Sequence, residues 1–278
     1  MLCSHAGRPP PLLRGRPALQ AAEAFVVFSG RPERAEELRE AVHLLRHGDL
    51  PGPAGRTYMA FYRAVEWPIS IKALARALPA LAPGQIAAWL DAGKGASVTR
   101  VAMVLEVVLT EVPRAELAAL ILVDAALATA LGWELLLPLL ATGLKCTDLR
   151  KQGDELRLAC HWALISSAFE AGRMAADLAR RAAHLNAVAP KLRAKASGEA
   201  VETFLTRDAV APSALPLPDR AARRLCDRLV ELGAVRLDPA ATPSDSTGCR
   251  HEHGQRKWEP VSRFGHATRR EIEGSPRS

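Results

Sequence analysis

Three potential metal ligands lie close together near the end of the chain. Cys249, His251 and His253 fall within the stretch DSTGCRHEHGQRKWEP, which covers positions 245–260. Zinc favours thiolate and imidazole ligands, but a structural zinc site takes four of them, usually as two separated pairs. His266 is the only other donor nearby. The spacing therefore does not predict a selected metal site, and we expect no metal and no other cofactor.

Arginines form a second group of residues that could have a chemical function. They lie in DRAARRLCDRLVELG at 219–233, where apolar residues repeat at helical spacing and define a buried face. The expected exposed face carries Arg220, Arg223, Arg224 and Arg228. Arginines on a helix that enters the major groove of DNA can contact phosphates and guanine edges. The alternative is a surface helix whose arginines pair with water and with Asp227 and Glu231.

Asp124 is the acidic residue that we expect to be buried. It interrupts the apolar run LAALILVDAALATALGWELLLPLLATGL at 117–144. A buried carboxyl must be hydrogen-bonded or protonated, so Asp124 is either an internal anchor or a functional acid. We favour a hydrogen bond to a helix end or to an arginine. Cys160 and His161 are neighbours on a predicted helix and point about 100° apart, so their spacing does not indicate a dyad.

No motif in the chain names a reaction. A serine elbow, a phosphate-binding glycine loop and a paired zinc motif are all missing from the sequence. The loop GPAGR at 52–56 can hold an anion with its amides, but it more simply begins a helix. We therefore expect no enzyme and identify no small-molecule ligand. A catalytic role for Asp124 with this loop stays open as a third hypothesis.

Composition indicates an all-α protein. The chain has 278 residues, of which 49% are hydrophobic and only 5% aromatic, and helix-favouring Ala, Leu, Glu and Arg dominate. The net charge of +7 permits a nucleic-acid partner without requiring one. Five scattered cysteines with no CxxC pair favour a reduced, cytoplasmic chain. Charges, Gly132 and Pro138 break the apolar run at 117–144, which predicts two core helices rather than a membrane span.

Periodicity and prolines predict the organisation of the chain. Helices are expected at about 70–79, 83–93, 96–111, 113–131 and 154–188. The predicted segments are an irregular N-terminus (1–17), a multi-helix bundle (18–207), a proline-rich linker (208–218), a C-terminal helical module (219–236) and a disordered tail (237–278). In the module we expect Asp219 to be the N-cap and Gly233 the residue after the C-cap.

Four stretches of the chain carry a family resemblance. They are HLLRHGDLPGPAGRTYMAFYR (43–63), LILVDAALATALGWELLLPLL (120–140), ARRAAHLNAVAPKLRAKASGEAV (179–201) and LPDRAARRLCDRLVELGAVR (217–236). With them, residues from about 20 to 236 resemble the uncharacterised bacterial domain-of-unknown-function family 1403. The family pattern has two acidic residues before PGPAGR, and Leu50 replaces the second here. The resemblance implies no activity, because the family has none assigned.

The resemblance also implies a different ending for the chain. After GAVR the family pattern continues into a short hairpin that closes with Phe-Arg-Leu-Tyr-Gly-Leu, whereas this chain continues LDPAATPSDSTGCRHEH. When the codons of residues 238–250 are shifted by one frame, permissible third bases spell Pro-Gly-Arg-Asp-Pro-Phe-Arg-Leu-Tyr-Gly-Leu-stop. We therefore interpret the residues from about Leu237 onward as out-of-frame translation, with a genuine divergent tail as the alternative.

A helix followed by a Leu-Gly-Ala-Val turn and a hairpin resembles the recognition helix and wing of a winged-helix module. In this chain the wing is expected to be missing. Our first hypothesis is a DNA-associated regulatory or accessory protein that binds duplex DNA through the four arginines. Our second is a helical scaffold that binds a protein partner without catalysis. Basic residues at Lys191, Arg193 and Lys195 add phosphate contacts under the first hypothesis and form a solvated helix start under the second.

Overall fold

Helices build most of the part of the chain that the structure describes, which confirms the all-α, multi-helix class. The computed structural model describes residues 11–28, 30, 37–39, 51–192, 197–207, 210–237 and 258–260. The α-helices in these ranges are α1 (Pro11–Phe28), α2 (Pro53–Glu66), α3 (Ile71–Ala77), α4 (Pro83–Ala92), α5 (Ser97–Glu111), α6 (Glu116–Ala130), α7 (Leu140–Gly143), α8 (Gly153–Val188), α9 (Ser197–Thr206) and α10 (Asp219–Glu231). Short 3₁₀ turns occupy Asp148–Arg150, Ala189–Lys191 and Pro212–Ala214. Strands β1 (Val235–Leu237) and β2 (Trp258–Pro260) pair antiparallel.

Local sequence explains where several helices begin. Pro53 and Pro83 lie in the first turns of α2 and α4, where the missing N–H of proline has no intrahelical partner to lose. Ser70 precedes α3, and its hydroxyl oxygen accepts a hydrogen bond from the Ala73 N–H at 3.1 Å. The predicted helices between residues 70 and 131 and at 154–188 are confirmed, with bounds that differ by at most three residues.

The first helix begins earlier than the prolines suggested. We expected residues 1–17 to be irregular, but α1 starts at Pro11 and contains Pro17. Pro11 is tolerated at the first position because its N–H would be unpaired there anyway. Pro17 removes one hydrogen bond of the helix, yet Ala18, Ala21 and Ala22 are fully buried next to it, so packing outweighs the lost bond.

The chain divides into two compact units, Met1–Ala176 and Asp177–Ser278. The boundary falls within α8, whereas the prolines had predicted one at 208–218. In unit 1 the centre is α6, whose residues from Ala118 to Ala128 are all buried. α5 packs along α6, and α1 packs along α2. The largest buried side chain, Trp89, donates its indole N–H to Glu111 Oε2 at 2.6 Å, so the polar atom that it brings into the core is paired.

The apolar run at 117–144 forms two core elements, α6 and the short α7. Gly132 ends α6 with a φ of 69°, and the Trp133 N–H reaches back to the Ala128 carbonyl at 2.8 Å. This geometry places a left-handed residue directly after the helix, a position that favours glycine. In the part of the chain that the structure describes, no helix is both long and apolar enough to span a membrane.

Unit 2 has its own hydrophobic core. Its α-helical elements are the end of α8, α9 and α10, and the core residues include Leu185, Phe204 and Leu229. The predicted linker contributes to this core, because Val210 and Leu215 are buried in it. Prolines there begin a 3₁₀ turn at Pro212–Ala214 that lies against α10, instead of leaving an open linker.

Four residues of the expected disordered tail, Leu237 and Trp258–Pro260, have described backbone structure. Trp258, Glu259 and Pro260 pair with Leu237, Arg236 and Val235, respectively, as strand β2. A lone strand presents unpaired N–H and C=O groups, which an extended segment can satisfy. The remainder of 238–278 lies outside the described residues. The cluster of Cys249, His251 and His253 belongs to that part.

Candidate nucleic-acid interface

The buried face of α10 and its two ends fix the direction of its arginines. Ala222, Leu225, Cys226 and Leu229 are buried in the core of unit 2. Pro218, not Asp219, is the N-cap, and its carbonyl accepts from the Ala221 and Ala222 N–H groups at 2.7 and 2.9 Å. Asp219 is therefore the first helical residue, where its carboxylate complements the positive end of the helix.

The C-terminal end of α10 is closed as its sequence predicted. Gly233 follows the helix with a φ of 68°. Its N–H donates to the Val230 carbonyl at 2.9 Å, and the Ala234 N–H donates to the Leu229 carbonyl at 2.9 Å. These two bonds pair carbonyls that the helix end would otherwise leave unsatisfied. The bonds lead the chain directly from α10 into β1.

All four candidate arginines are exposed on α10, but they differ in their neighbours. Arg223 Nη2 lies 3.1 Å from Asp219 Oδ2, rather than pairing with Asp227 as its spacing allowed. Arg228 Nη1 lies 2.7 Å from Glu231 Oε2. Among the described residues, Arg220 and Arg224 have no ion-pair partner. The helix therefore presents two paired and two available guanidinium groups.

Other elements of unit 2 precede and follow α10 in the chain. Helix α9 is followed by an isolated β-bridge at Val210, the 3₁₀ turn at Pro212–Ala214, α10 and the β1–β2 pair. His184 of α8 contacts the Leu232 carbonyl through Nε2 at 3.2 Å and so holds the end of α10. Lys191 is exposed, while Arg193 and Lys195 lie outside the described residues.

Asp124 is fully buried in α6 and binds a helix end, which is the role that we favoured from the sequence. Its Oδ1 accepts from the Leu140 N–H at 2.8 Å, and its Oδ2 accepts from the Ala141 N–H at 3.1 Å. Burial raises the pKa of Asp124 to about 7, and the backbone hydrogen bonds offset part of that rise. The carboxyl group thus closes the start of α7.

The two buried cysteines are not arranged as nucleophiles. Burial raises the pKa of Cys160 and of Cys226 to about 12, which keeps both as thiols at neutral pH. His161 is exposed on α8 while Cys160 faces the core, as expected for adjacent helical residues. In the ranges that the structure describes, no group of three or more His, Cys, Asp or Glu residues could hold a metal ion.

A cavity of about 410 Å³ lies in unit 1. Its charged lining residues are Asp91 and Arg100, and apolar residues such as Ile71, Leu74 and Leu90 form its wall. Neither Asp124 nor Arg56 lines it, although a pocket joining those two would have favoured the catalytic hypothesis. Arg56 instead starts α2, with its N–H donating to the Gly52 carbonyl at 2.8 Å.

The family assignment rests on a match over most of the chain. The family model described as "Protein of unknown function (DUF1403)" matches residues 1–238. The chain belongs to this family. No curated protein is significantly similar to the chain. The match begins before residue 20, where the resemblance seemed to start, so the family pattern includes the N-terminal part of α1. It ends at residue 238, close to the predicted departure from the family pattern.

Sequence reasoning missed an exposed apolar surface of this family member. Leu158, Trp162, Ile165 and Phe169 lie on one side of α8 and form what we name the α8 stripe. The predicted helix at 154–188 was assigned no exposed apolar face, and its core side carries Leu156, Cys160 and Ala163. The signal was present in the sequence, because the stripe repeats at steps of four, three and four residues.

Proposed function

We propose that this protein is a DNA-associated regulatory or accessory protein of the bacterial cytoplasm, and that unit 2 binds duplex DNA through α10. The observation that carries the proposal is a pair of exposed guanidinium groups, Arg220 and Arg224, on a helix whose opposite face is buried. Neither has a carboxylate partner among the residues that the structure describes. The order of elements around α10, with a helix before it and the β1–β2 pair after it, resembles that of a winged-helix module and supports the proposal. Free thiols at Cys146, Cys160 and Cys226 support the cytoplasmic location.

The arginines have unequal parts in this proposal. Arg220 and Arg224 are one helical turn apart, so both can face the same strand of DNA and contact its phosphates or guanine edges. Arg223 and Arg228 already neutralise Asp219 and Glu231. A phosphate must compete with those carboxylates, and exposed pairs of this kind are weak enough to exchange. Arg220 and Arg224 therefore contribute most of the binding.

Salt-dependent binding of the full chain to duplex DNA tests the proposal. Fluorescence anisotropy with a labelled duplex should show affinity that falls as salt rises, because bound phosphates release counterions. The double variant Arg220→Ala/Arg224→Ala should lower the slope of log K against log salt by about 2 in magnitude. The matched variant Arg223→Ala/Arg228→Ala removes the same charge but should change the slope less. Negligible affinity at low salt, or equal effects of the two variants, contradicts the proposal.

A helical scaffold that binds proteins without catalysis is the second candidate. The exposed α8 stripe favours it, because large contiguous apolar surfaces on soluble domains mark interaction sites. The two functions are separable by experiment, since DNA binding depends on the charge of α10 and protein binding depends on the apolar side chains of α8. A wild-type chain that binds no duplex DNA but associates with a protein through the α8 stripe would favour the scaffold as the function.

We also propose that the residues after about Leu237 arise from out-of-frame translation. The end of the family match at residue 238 supports this, as does the shifted reading that closes with Phe-Arg-Leu-Tyr-Gly-Leu. Sequencing the genomic locus tests it directly. Bases that cannot spell that ending would make the tail a genuine divergent segment. If they can, the frame-restored chain should bind DNA more tightly than the present one, because the short hairpin of the family would follow β1 in place of the present tail.

A further inference from the structure

The α8 stripe lies opposite the side of the helix that packs into unit 1. Its side chains are 58% (Leu158), 66% (Trp162), 49% (Ile165) and 72% (Phe169) exposed. Leu156, Cys160 and Ala163 face the core from the other side. Steps of four and three residues average 3.5, which is the spacing of a coiled-coil seam. α8 is thus apolar on two opposite faces, of which one is covered by its own unit.

We propose that a second copy of this chain covers the α8 stripe, with the two α8 helices antiparallel about a two-fold axis between Trp162 and Ile165. The steps of four, three and four residues read the same in both directions. A two-fold axis therefore brings the stripe onto itself, as the isologous interface of a symmetric dimer requires. This inference is independent of DNA binding, because it uses no residue of unit 2.

Side-chain size explains why the antiparallel arrangement fits. It sets Leu158 against Phe169 and Trp162 against Ile165, so every layer contains one aromatic and one aliphatic side chain. A parallel arrangement would stack Trp162 on its own copy and Ile165 on its own copy. The layers would then alternate between very large and small, and close packing tolerates neither overfilling nor voids.

The residues beside the stripe allow two helices to approach closely. Ser166, Ala168 and Gly172 are small, exposed and adjacent to it. The charges at its two ends are neutralised within α8, because Arg157 lies 3.0 Å from Asp154 and Arg173 lies 3.1 Å from Glu170. No cluster of like charges therefore opposes association of two copies along this face.

The area is sufficient for a dimer but not for a very tight one. Given the size of aromatic and aliphatic side chains, the four residues expose on the order of 450 Å² of apolar surface per copy. Two copies with their small neighbours then bury about 1,000 Å², which is near the lower limit for a specific interface. A heterologous partner would have to supply its own matching seam, whereas a second copy provides it without any further component.

Molar mass in solution tests the pairing. Sedimentation equilibrium of the full chain at about 100 μM should give a dimer, as expected for an interface of modest affinity. Trp162→Glu/Phe169→Glu should raise the dissociation constant at least about tenfold with unchanged helical circular dichroism, because both side chains point away from the core. Val27→Glu/Met103→Glu is the matched control, since it places the same two charges on other exposed apolar residues of unit 1 and should leave the dimer intact.

Cross-linking tests the direction of the helices. Cys3, Cys146 and Cys249 are first replaced by serine. Trp162→Cys and Ile165→Cys are then introduced separately into this background, in two chains with tags of different length, and the two chains are mixed. Antiparallel pairing predicts cross-links mainly between unlike chains, whereas parallel pairing predicts links between like chains. A monomeric wild-type chain, a dimer insensitive to Trp162→Glu/Phe169→Glu, or links between like chains would overturn the proposal. The first result would assign the stripe to another occupant, such as a different protein or a lipid surface.

Discussion

Asp124 exchanges the hydration of its carboxylate for two backbone hydrogen bonds. Removing water from a carboxylate is costly, and the N–H groups of Leu140 and Ala141 return only part of that free energy. The raised pKa reflects this balance, because burial outweighs the hydrogen bonds. In return, the start of α7 has no unpaired N–H at these two positions. The residue is best understood as a structural acid whose protonation state affects stability.

Asp124 should therefore make stability depend on pH. Its pKa is about 7 in the folded chain, and about 4 in the unfolded one. Below both values the carboxyl is protonated in either state. Between them the unfolded state ionises first, so the free energy of unfolding should fall as pH rises, by up to about 1.4 kcal/mol per pH unit. Urea titrations at several pH values between 4 and 7 give the slope of the free energy of unfolding against pH. Asp124→Asn should remove the contribution of Asp124 from this slope, and an unchanged slope would contradict the assignment.

Removing the acceptor altogether has a different effect. Asp124→Ala leaves two buried N–H groups without partners and should lower the free energy of unfolding by about 3 kcal/mol. Asp124→Asn keeps one acceptor and should cost less at the same pH. Urea denaturation of both variants at pH 5 checks this order. A smaller loss for alanine than for asparagine would mean that water satisfies the two N–H groups.

At the scale of elements, periodicity and prolines predicted most helices but not their surroundings. The bounds of α4 follow from Pro83 at its start and Gly93 after its end, and α5 and α8 each end two residues before a proline, Pro113 and Pro190. The partner of Asp124 depends on a contact between residues 16 or 17 apart that no local rule encodes. The arginines of α10 were correctly found on an exposed face, but which of them pair depends on rotamers that spacing leaves open.

Gly143 of α7 shows how closely two of these elements pack. A Cβ atom at this position would meet the Ser167 hydroxyl and lie 2.5 Å from the Ala163 carbonyl, both on α8. Gly143→Ala should therefore lower the free energy of unfolding by about 1–3 kcal/mol, because the backbone of α8 cannot yield without loss of packing. Gly84→Ala in α4 is the control. Nothing lies within 4 Å of its Cβ position, so helix propensity should make it neutral or stabilising by up to about 1 kcal/mol.

Chemical denaturation of the two glycine variants measures the contrast. A loss of stability in Gly143→Ala together with no loss in Gly84→Ala would show that glycine is required at position 143 because of its close contact with α8, and not because of backbone flexibility. Equal effects of both substitutions would mean that α7 shifts away from α8 to admit the methyl group. The far-ultraviolet circular dichroism of both variants should match the wild type.

At the scale of the whole molecule, the two hydrophobic cores share none of the buried residues that the structure describes. Cys160 lies in the core of unit 1 and Cys226 in the core of unit 2, and both are fully buried. Each thiol thus reports the opening of one core, since alkylation requires exposure. Cys146 is exposed and provides an internal reference for the intrinsic reaction rate.

Destabilising one core should therefore release only its own cysteine. Phe204→Ala removes a fully buried ring from the core of unit 2 and should accelerate alkylation of Cys226 about 100-fold, with little effect on Cys160. Ile121→Ala in unit 1 is the reciprocal variant and should accelerate Cys160 alone. Pulsed alkylation followed by mass spectrometry of the peptides measures both sites in one sample. Equal acceleration of both cysteines by either variant would show that α8, which contributes residues to both units, couples them into one cooperative unfolding transition.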